Sequence, residues 1–312
     1  MPDIVVMFFV LGLVARLIRS DLSVPKAAYD TLSLLLMLTI GLKGGMALHG
    51  NLNWQLLPHL LSVLMLGIAL PLILFPLLRR LVGLNLADSA SLTAHYGSVS
   101  AGTFAVALAY AETQNLPLGG EVTLYLVLLE LPAIILGLML YRRYAHSGSS
   151  TRPGGVWREA LTNQGVVLLV GGVVIGWMYG PQNGAMVTEL FTSAFKAVLA
   201  LFLLEMGITA AGTLGQLGRH HARLIAFALI VPTFLAVPGI LVGLMLGLPT
   251  GSTLVLASLT ASASYIAAPT AVRAAIPDAD IGLAMLAALG LTFPFNVLIG
   301  IQMYHAMLVY LG

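Results

Sequence analysis

Runs of about 20 apolar residues recur along this chain, separated by short polar stretches, and that is the length a helix needs to cross a hydrocarbon core ~30 Å thick. Only 8% of the residues are charged and 59% are hydrophobic. Soluble domains carry about 25% charged residues. Mean hydropathy is +0.99. The chain therefore folds with lipid as part of its solvent. In lipid every backbone polar group must find a partner within the protein, which favours helices or a closed barrel, and runs of this length select helices. Ten runs are read as spanning helices: 3–19, 26–48, 56–80, 86–112, 121–144, 158–180, 186–212, 221–247, 251–275 and 281–311.

Other features narrow the class. There is no cysteine, so disulfides and thiolate metal sites are excluded. A net charge of +2 gives no electrostatic footprint for nucleic acid. The first ten residues lack a basic leader, so residues 3–19 read as a spanning helix and not a signal peptide. There is no His-Glu-x-x-His and no Gly-rich phosphate loop, which argues against an intramembrane enzyme.

Basic residues set the orientation. Arg16, Arg19, Lys26, Arg79, Arg80, Arg142, Arg143, Arg152, Arg158, Arg219, Arg223 and Arg273 all follow odd-numbered spans or close the ninth. They are twelve of the fourteen basic residues, and Lys43 and Lys196 are the exceptions. Both termini are expected outside the cytoplasm, in a multi-pass protein of the bacterial inner membrane. A polar stretch at 145–157 divides the chain into a five-span half, 1–144, and a second half, 158–312, and is expected to be a cytoplasmic linker.

The halves echo one another. Gly41-Leu42-Lys43-Gly44-Gly45 in span two matches Gly207-Ile208-Thr209-Ala210-Ala211 in span seven, at an offset of 166. Ser98-Val99-Ser100 in span four matches Ser262-Ala263-Ser264 in span nine, at an offset of 164. Five spans separate the copies, so the halves would run in opposite directions, as in inverted-repeat transporters. Chance similarity between small-residue helices is the plain alternative, because small residues serve any helix contact in lipid.

Spans four and nine each place a Ser-x-Ser pair mid-membrane, with Gly97 and Gly102 near one and Pro269 near the other. A break in both would set two helix N-termini face to face, with free N–H groups and partial positive charge suited to a small anion. Ser98, Ser100, Ser262 and Ser264 would add hydroxyls. Ala101, Gly102 and Thr103, with Tyr265, Ile266 and Ala267, would add backbone donors. Gly97, Ala101, Ala105 and Ala109 also form a small-residue stripe, which packing alone explains for a single helix; the matched pair favours a site.

Ionisable residues at membrane depth are functional candidates. Glu130, in span five, is a candidate ion ligand or proton carrier. Lys43 sits in the repeated segment and is a candidate for charge compensation, paired with Glu130 or Glu205. Lys196 reads as a residue that snorkels to the surface. His95 reads as a packing residue.

The chain resembles the sodium-dependent bicarbonate transporters of the SbtA type. The resemblance runs through Gly41-Leu42-Lys43-Gly44-Gly45-Met46-Ala47, Val99-Ser100 with Thr103 and Glu112, Pro132-Ala133, Met206-Gly207, and Ala261-Ser262-Ala263-Ser264 with Pro269, Arg273, Ile276 and Pro277. It implies ten helices in a core and a gate domain, a homotrimer, and bicarbonate held with Na+ where two broken helices meet. A cytoplasmic PII-like regulator is implied as a partner. Two positions depart from the pattern. Tyr265 and Ala267 stand where the family carries an Asp and a Ser, and Lys43 stands in place of a small polar residue. A phenol is a poor substitute for a carboxylate on a hard cation, so sodium coupling is expected to be weak, with the Lys43 ammonium in its stead. The expectation is an all-α secondary transporter of a small anion, bicarbonate first, working by alternating access. Another small carboxylate, or a channel or sensor on the same fold, is the rival reading.

Reporter fusions check the orientation. Fusions within 145–157 should report cytoplasm and fusions at Gly312 should report periplasm; the reverse pattern contradicts it.

Overall fold

The structure, a computed structural model, describes residues 3–50, 54, 56–145, 162, 164–214 and 222–312. Most of the linker 145–157 lies outside the described residues, as do Arg152, Arg158 and Arg219. The described residues are helical and contain no strand.

The helices are α1 (Ile4–Leu17), α2 (Lys26–Leu48), α3 (Leu56–Leu77), α4 (Leu86–Gly97), α5 (Ala101–Thr113), α6 (Val122–Tyr144), α7 (Gln164–Asn183), α8 (Ala185–Leu214), α9 (Ala222–Met245), α10 (Thr250–Thr260), α11 (Ala267–Ala275) and α12 (Ile281–Leu311). Seven of them are long and apolar enough to cross a membrane: α2, α3 with its π-turn to Val82, α6, α7, α8, α9 and α12. α1 has 14 residues. At 1.5 Å per residue it reaches only about 21 Å. The expected spans four and nine each appear as two shorter helices, α4 with α5 and α10 with α11.

Why these two stretches lie at the centre follows from their side chains. Apolar surface outside the bundle faces lipid, as with Met65, Leu72 and Ile73 on α3 or Ile230, Phe234 and Leu241 on α9. α4 and α10 are instead rich in Ala, Ser and Thr, and almost every residue in them is buried. Their small hydroxyls satisfy themselves by bonding back within the helix. Thr93 Oγ1 donates to the Ser89 carbonyl at 2.7 Å and Ser258 Oγ to the Leu254 carbonyl at 2.8 Å. A polar residue that needs no outside partner can be buried at little cost, and the small volume lets neighbouring helices close in.

Around this centre the helices pair in two ways. α1 lies against α8, and α2 lies against α7 and α8. α3, α4 and α6 pack together, as do α9, α10 and α12, with α10 also against α5. The first set is called the panel below. Its close approach explains the repeated glycines of spans two and seven. A Cβ on Gly45 would land on the Val173 carbonyl of α7, and one on Gly207 would land on the Phe9 carbonyl of α1. Gly41, which matches Gly207 in the alignment of the two segments, likewise has a carbonyl of the neighbouring helix, that of Leu169 on α7, where its Cβ would be.

Replacing Gly45 by valine should therefore lower the thermal unfolding midpoint in detergent, since overpacking against backbone costs about 1–3 kcal/mol. Gly171→Val is the control, because nothing lies within 4 Å of its added Cβ, and it should leave the midpoint unchanged. Equal midpoints for the two variants contradict the packing account.

Candidate functional site

Both Ser-x-Ser segments interrupt their helices. α4 ends at Gly97, Ser98 and Ser100 are extended, and α5 begins at Ala101. The Ser100 hydroxyl accepts the Thr103 N–H at 3.0 Å, an N-cap of the kind serine favours. In the second half α10 ends at Thr260 and α11 begins at Ala267. The Ser264 hydroxyl accepts the Ala268 N–H at 3.2 Å. The two differ in position: Ser100 is itself the N-cap of α5, whereas the N-cap of α11 is Ile266 and Ser264 reaches the first turn from two residues before it. One detail differs from expectation. Ala268 is helical, and the break ends before it. Pro269 falls in the first turn of α11, where an N–H has no intrahelical acceptor and its loss is tolerated.

The two breaks hold each other. The Ser264 N–H donates to the His95 carbonyl at 2.8 Å. The Ser100 N–H donates to Ser262 Oγ at 2.9 Å, and that hydroxyl donates to the Leu259 carbonyl at 2.8 Å. A third support comes from α12. Asn296 Nδ2 donates to the Ala261 carbonyl at 2.8 Å, and the Tyr304 hydroxyl donates to Asn296 Oδ1 at 2.7 Å. Sequence reasoning missed Asn296 and Tyr304. The signal was there: a lone Asn in an apolar span needs a buried acceptor and donor. His95 is fully buried, with Nδ1 bonded to the Ser91 carbonyl at 2.7 Å, but its Nε2 has no partner among the described residues.

Where the breaks meet, several hydroxyls are left over. Ser98 Oγ, Thr103 Oγ1 and the Tyr265 hydroxyl are buried and have no hydrogen-bond partner among the described residues. Ser98 and Ser262 occupy the same place in the two Ser-x-Ser segments, yet only Ser262 is engaged. The Tyr265 hydroxyl lies against Gly102 in the first turn of α5, so closely that a Cβ on Gly102 would collide with it. Its ring meets Phe293 edge to face at 5.2 Å between centroids.

A small cavity of about 10 Å³ lies at this point, lined by Val99, Ser100, Ala101, Ser264, Tyr265, Ile266, Ala267, Met37, Gly165 and Glu130. That is room for about one water. Of the expected residues, Ser100, Ala101, Ser264, Tyr265, Ile266 and Ala267 line this cavity together with Glu130, while Ser98, Gly102, Thr103 and Ser262 are not on its lining. Glu130 forms no ion pair among the described residues. A cavity of about 600 Å³ continues from it toward Lys26 and Asp30, sharing Met37, Gly165 and Ile266. Another, of about 700 Å³, opens at the Asp3 end between α1, α5, α8 and α12 and shares no lining residue with the crossing.

Lys43 is not at the crossing. Its ammonium is 2.6 Å from Glu112 Oε1, at the far end of α5, and 4.4 Å from the centroid of the Phe195 ring. This corrects the expected pairing with Glu130 or Glu205: α2 carries Lys43 to its Leu48 end, level with the last turn of α5, while Glu130 sits deeper. Glu205 accepts the Thr209 hydroxyl at 3.0 Å within α8. Lys196 is exposed, as snorkelling requires, and its ammonium is 3.4 Å from Thr113 Oγ1.

The arrangement can bind an anion. Two helix N-termini, each equivalent to about half a positive charge, converge with unengaged hydroxyl donors in a buried place. Comparison with curated proteins finds no match. The chain does match, over residues 4–309, a family described as the Na+-dependent bicarbonate transporter superfamily. The match spans nearly the whole length, and the chain belongs to that family of multi-pass membrane transporters.

Proposed function

We propose that the protein is a secondary transporter that carries bicarbonate across the bacterial inner membrane by alternating access, with the anion bound where the two breaks meet. The observation that carries this reading is the meeting of the first turns of α5 and α11 at a buried cavity lined by Ser100, Ala101, Ser264, Tyr265 and Ala267, with the buried hydroxyls of Ser98 and Thr103 in the same segment lacking a partner among the described residues. A buried donor without an acceptor costs about 1–3 kcal/mol. An oxyanion is the acceptor that removes that cost for several donors at once. The present cavity holds a water and no more, so binding requires the crossing to open.

The ten-span, inverted-repeat reading supports alternating access. The cavity toward Lys26 is walled by α2, α7 and α11, and the one toward Asp3 by α1, α5 and α8 among others. Exchange the halves and each set maps onto the other. With the basic residues inside, the Lys26 end is cytoplasmic and the crossing opens inward.

Glu130 bears on coupling. A carboxylate beside a bound anion is repulsive unless a cation sits with them. With Lys43 engaged by Glu112, its ammonium does not stand in for that cation, which removes one of the two grounds for expecting a weak sodium response; the other, Tyr265 and Ala267 in place of an Asp and a Ser, stands. Glu130 takes the role in which the carboxylate offsets a co-transported cation, sodium being the ion the family points to.

Uptake of labelled bicarbonate into proteoliposomes, with and without a sodium gradient, tests the reading beside formate, acetate and nitrate. Accumulation of bicarbonate against its gradient is expected, and sodium stimulation should disappear in Glu130→Gln. Accumulation of another carboxylate alone supports the rival substrate, and flux that only equilibrates identifies a channel.

Two serine variants separate binding from folding. Ser98→Ala removes an unengaged hydroxyl, so thermal stability should hold while bicarbonate affinity falls, by about 1.5–3 kcal/mol if the lost bond is to a charged ligand. Ser262→Ala strands the Ser100 N–H and should cost about 1–3 kcal/mol of stability. Unchanged affinity in Ser98→Ala would remove Ser98 from the site.

A further inference from the structure

The outer end of α5 is tied to the panel by polar contacts that the binding site does not use. Glu112 takes the Lys43 ammonium of α2 at 2.6 Å. Thr113 Oγ1 lies 2.8 Å from the Ala109 carbonyl of its own helix and 3.0 Å from Oδ2 of Asp3, the N-cap of α1, so its one proton is shared between them. Lys196 of α8 approaches the same hydroxyl at 3.4 Å. Three panel helices thus converge on two consecutive residues of one half-helix, whose other end carries the anion site.

Among the described residues, the repeat-related end of the molecule has no equivalent ion pair. At the offsets of the two matched segments, Lys43 corresponds to Thr209 and Glu112 to Ile276. Thr209 spends its hydroxyl on Glu205 of its own helix, and Ile276 has no charge to offer. There the space between α2, α7 and α11 is the cavity of about 600 Å³ that runs into the crossing. The cavity at the tied end, which Asp3, Thr113 and Lys196 line, stops short of the crossing, whereas α11, with no such ion pair among the described residues, borders the cavity that runs into it.

We propose that the Lys43–Glu112 ion pair is a latch: it holds α5 against the panel, closes the crossing toward the Asp3 end, and biases the transporter toward the conformer open at the Lys26 end. This rests on the alternating-access reading above. In the opposite conformer the symmetry of the halves moves α5 away from α2, and the pair must part. The side chains are only about a quarter to a third exposed, at 24% and 30%, so the bond is partly shielded from water and the Phe195 face adds to the hold on the ammonium. Exposed pairs contribute little; this one is placed where a small bias decides between two conformers.

The natural absence of cysteine makes accessibility the test. Thr270, on α11, is exposed in the Lys26-end cavity. In a Thr270→Cys background, a membrane-impermeant maleimide applied from the Lys26 side should label the thiol quickly. Adding Glu112→Gln or Lys43→Met should slow labelling about threefold or more, and the charge swap Lys43→Glu with Glu112→Lys should restore the parent rate. Should a single variant fail to elute as one monodisperse species, the neutral double variant Lys43→Met with Glu112→Gln carries the same expectation without a stranded charge. Rates equal to the parent in the neutral variants, or a swap no faster than the singles, overturn the latch. Labelling needs no substrate, so a failed bicarbonate uptake assay and a failed latch remain separate results.

Discussion

Two interruptions of helical hydrogen bonding, buried among other helices, are what the rest of this molecule is arranged around. Each break frees N–H and C=O groups where lipid and apolar side chains offer no partners. The structure answers with serine. Ser100 and Ser264 cap the helices that follow, and Ser262 takes the N–H of Ser100 across the repeat boundary. The His95 carbonyl, freed by the first break, is met by the Ser264 N–H from the second. Neither break is satisfied alone, so the two half-helix pairs must assemble together.

That mutual dependence also bears on the proposed site. With Ser100, Ser262 and Ser264 committed to holding the breaks, the hydroxyls of Ser98 and Thr103 are left without a partner among the described residues, and the anion site proposed above draws on them. The Glu112 end of α5 extends the logic: the proposed site lies at one end of a 13-residue helix and an ion pair at the other.

Much of this was legible in residue patterns. Apolar runs located the helices, and the repeated Ser-x-Ser pairs located both breaks, because small hydroxylated residues at membrane depth have few other uses. Glu130 stood out as a carboxylate within a leucine-rich run, and the structure puts it on the shared cavity. Pairings across the fold were not legible. Lys43 was paired with Glu130 or Glu205, and only the alignment of α2 with the end of α5 brings it to Glu112. Asn296 was passed over because its partner, the Ala261 carbonyl, exists as a free acceptor only once α10 has ended. Pro269 lies near the break but inside the first turn of α11, a place where proline is at home.

The central claim is that the crossing of the two breaks is an anion site. A density map of the protein in lipid nanodiscs at saturating bicarbonate addresses it directly. The account predicts a planar density against the first turn of α5, facing α11, with the hydroxyls of Ser98, Thr103 and Tyr265 turned toward it. Bicarbonate density confined to the outer cavity between Asp3 and Lys196, with the crossing still closed around Tyr265, would contradict it.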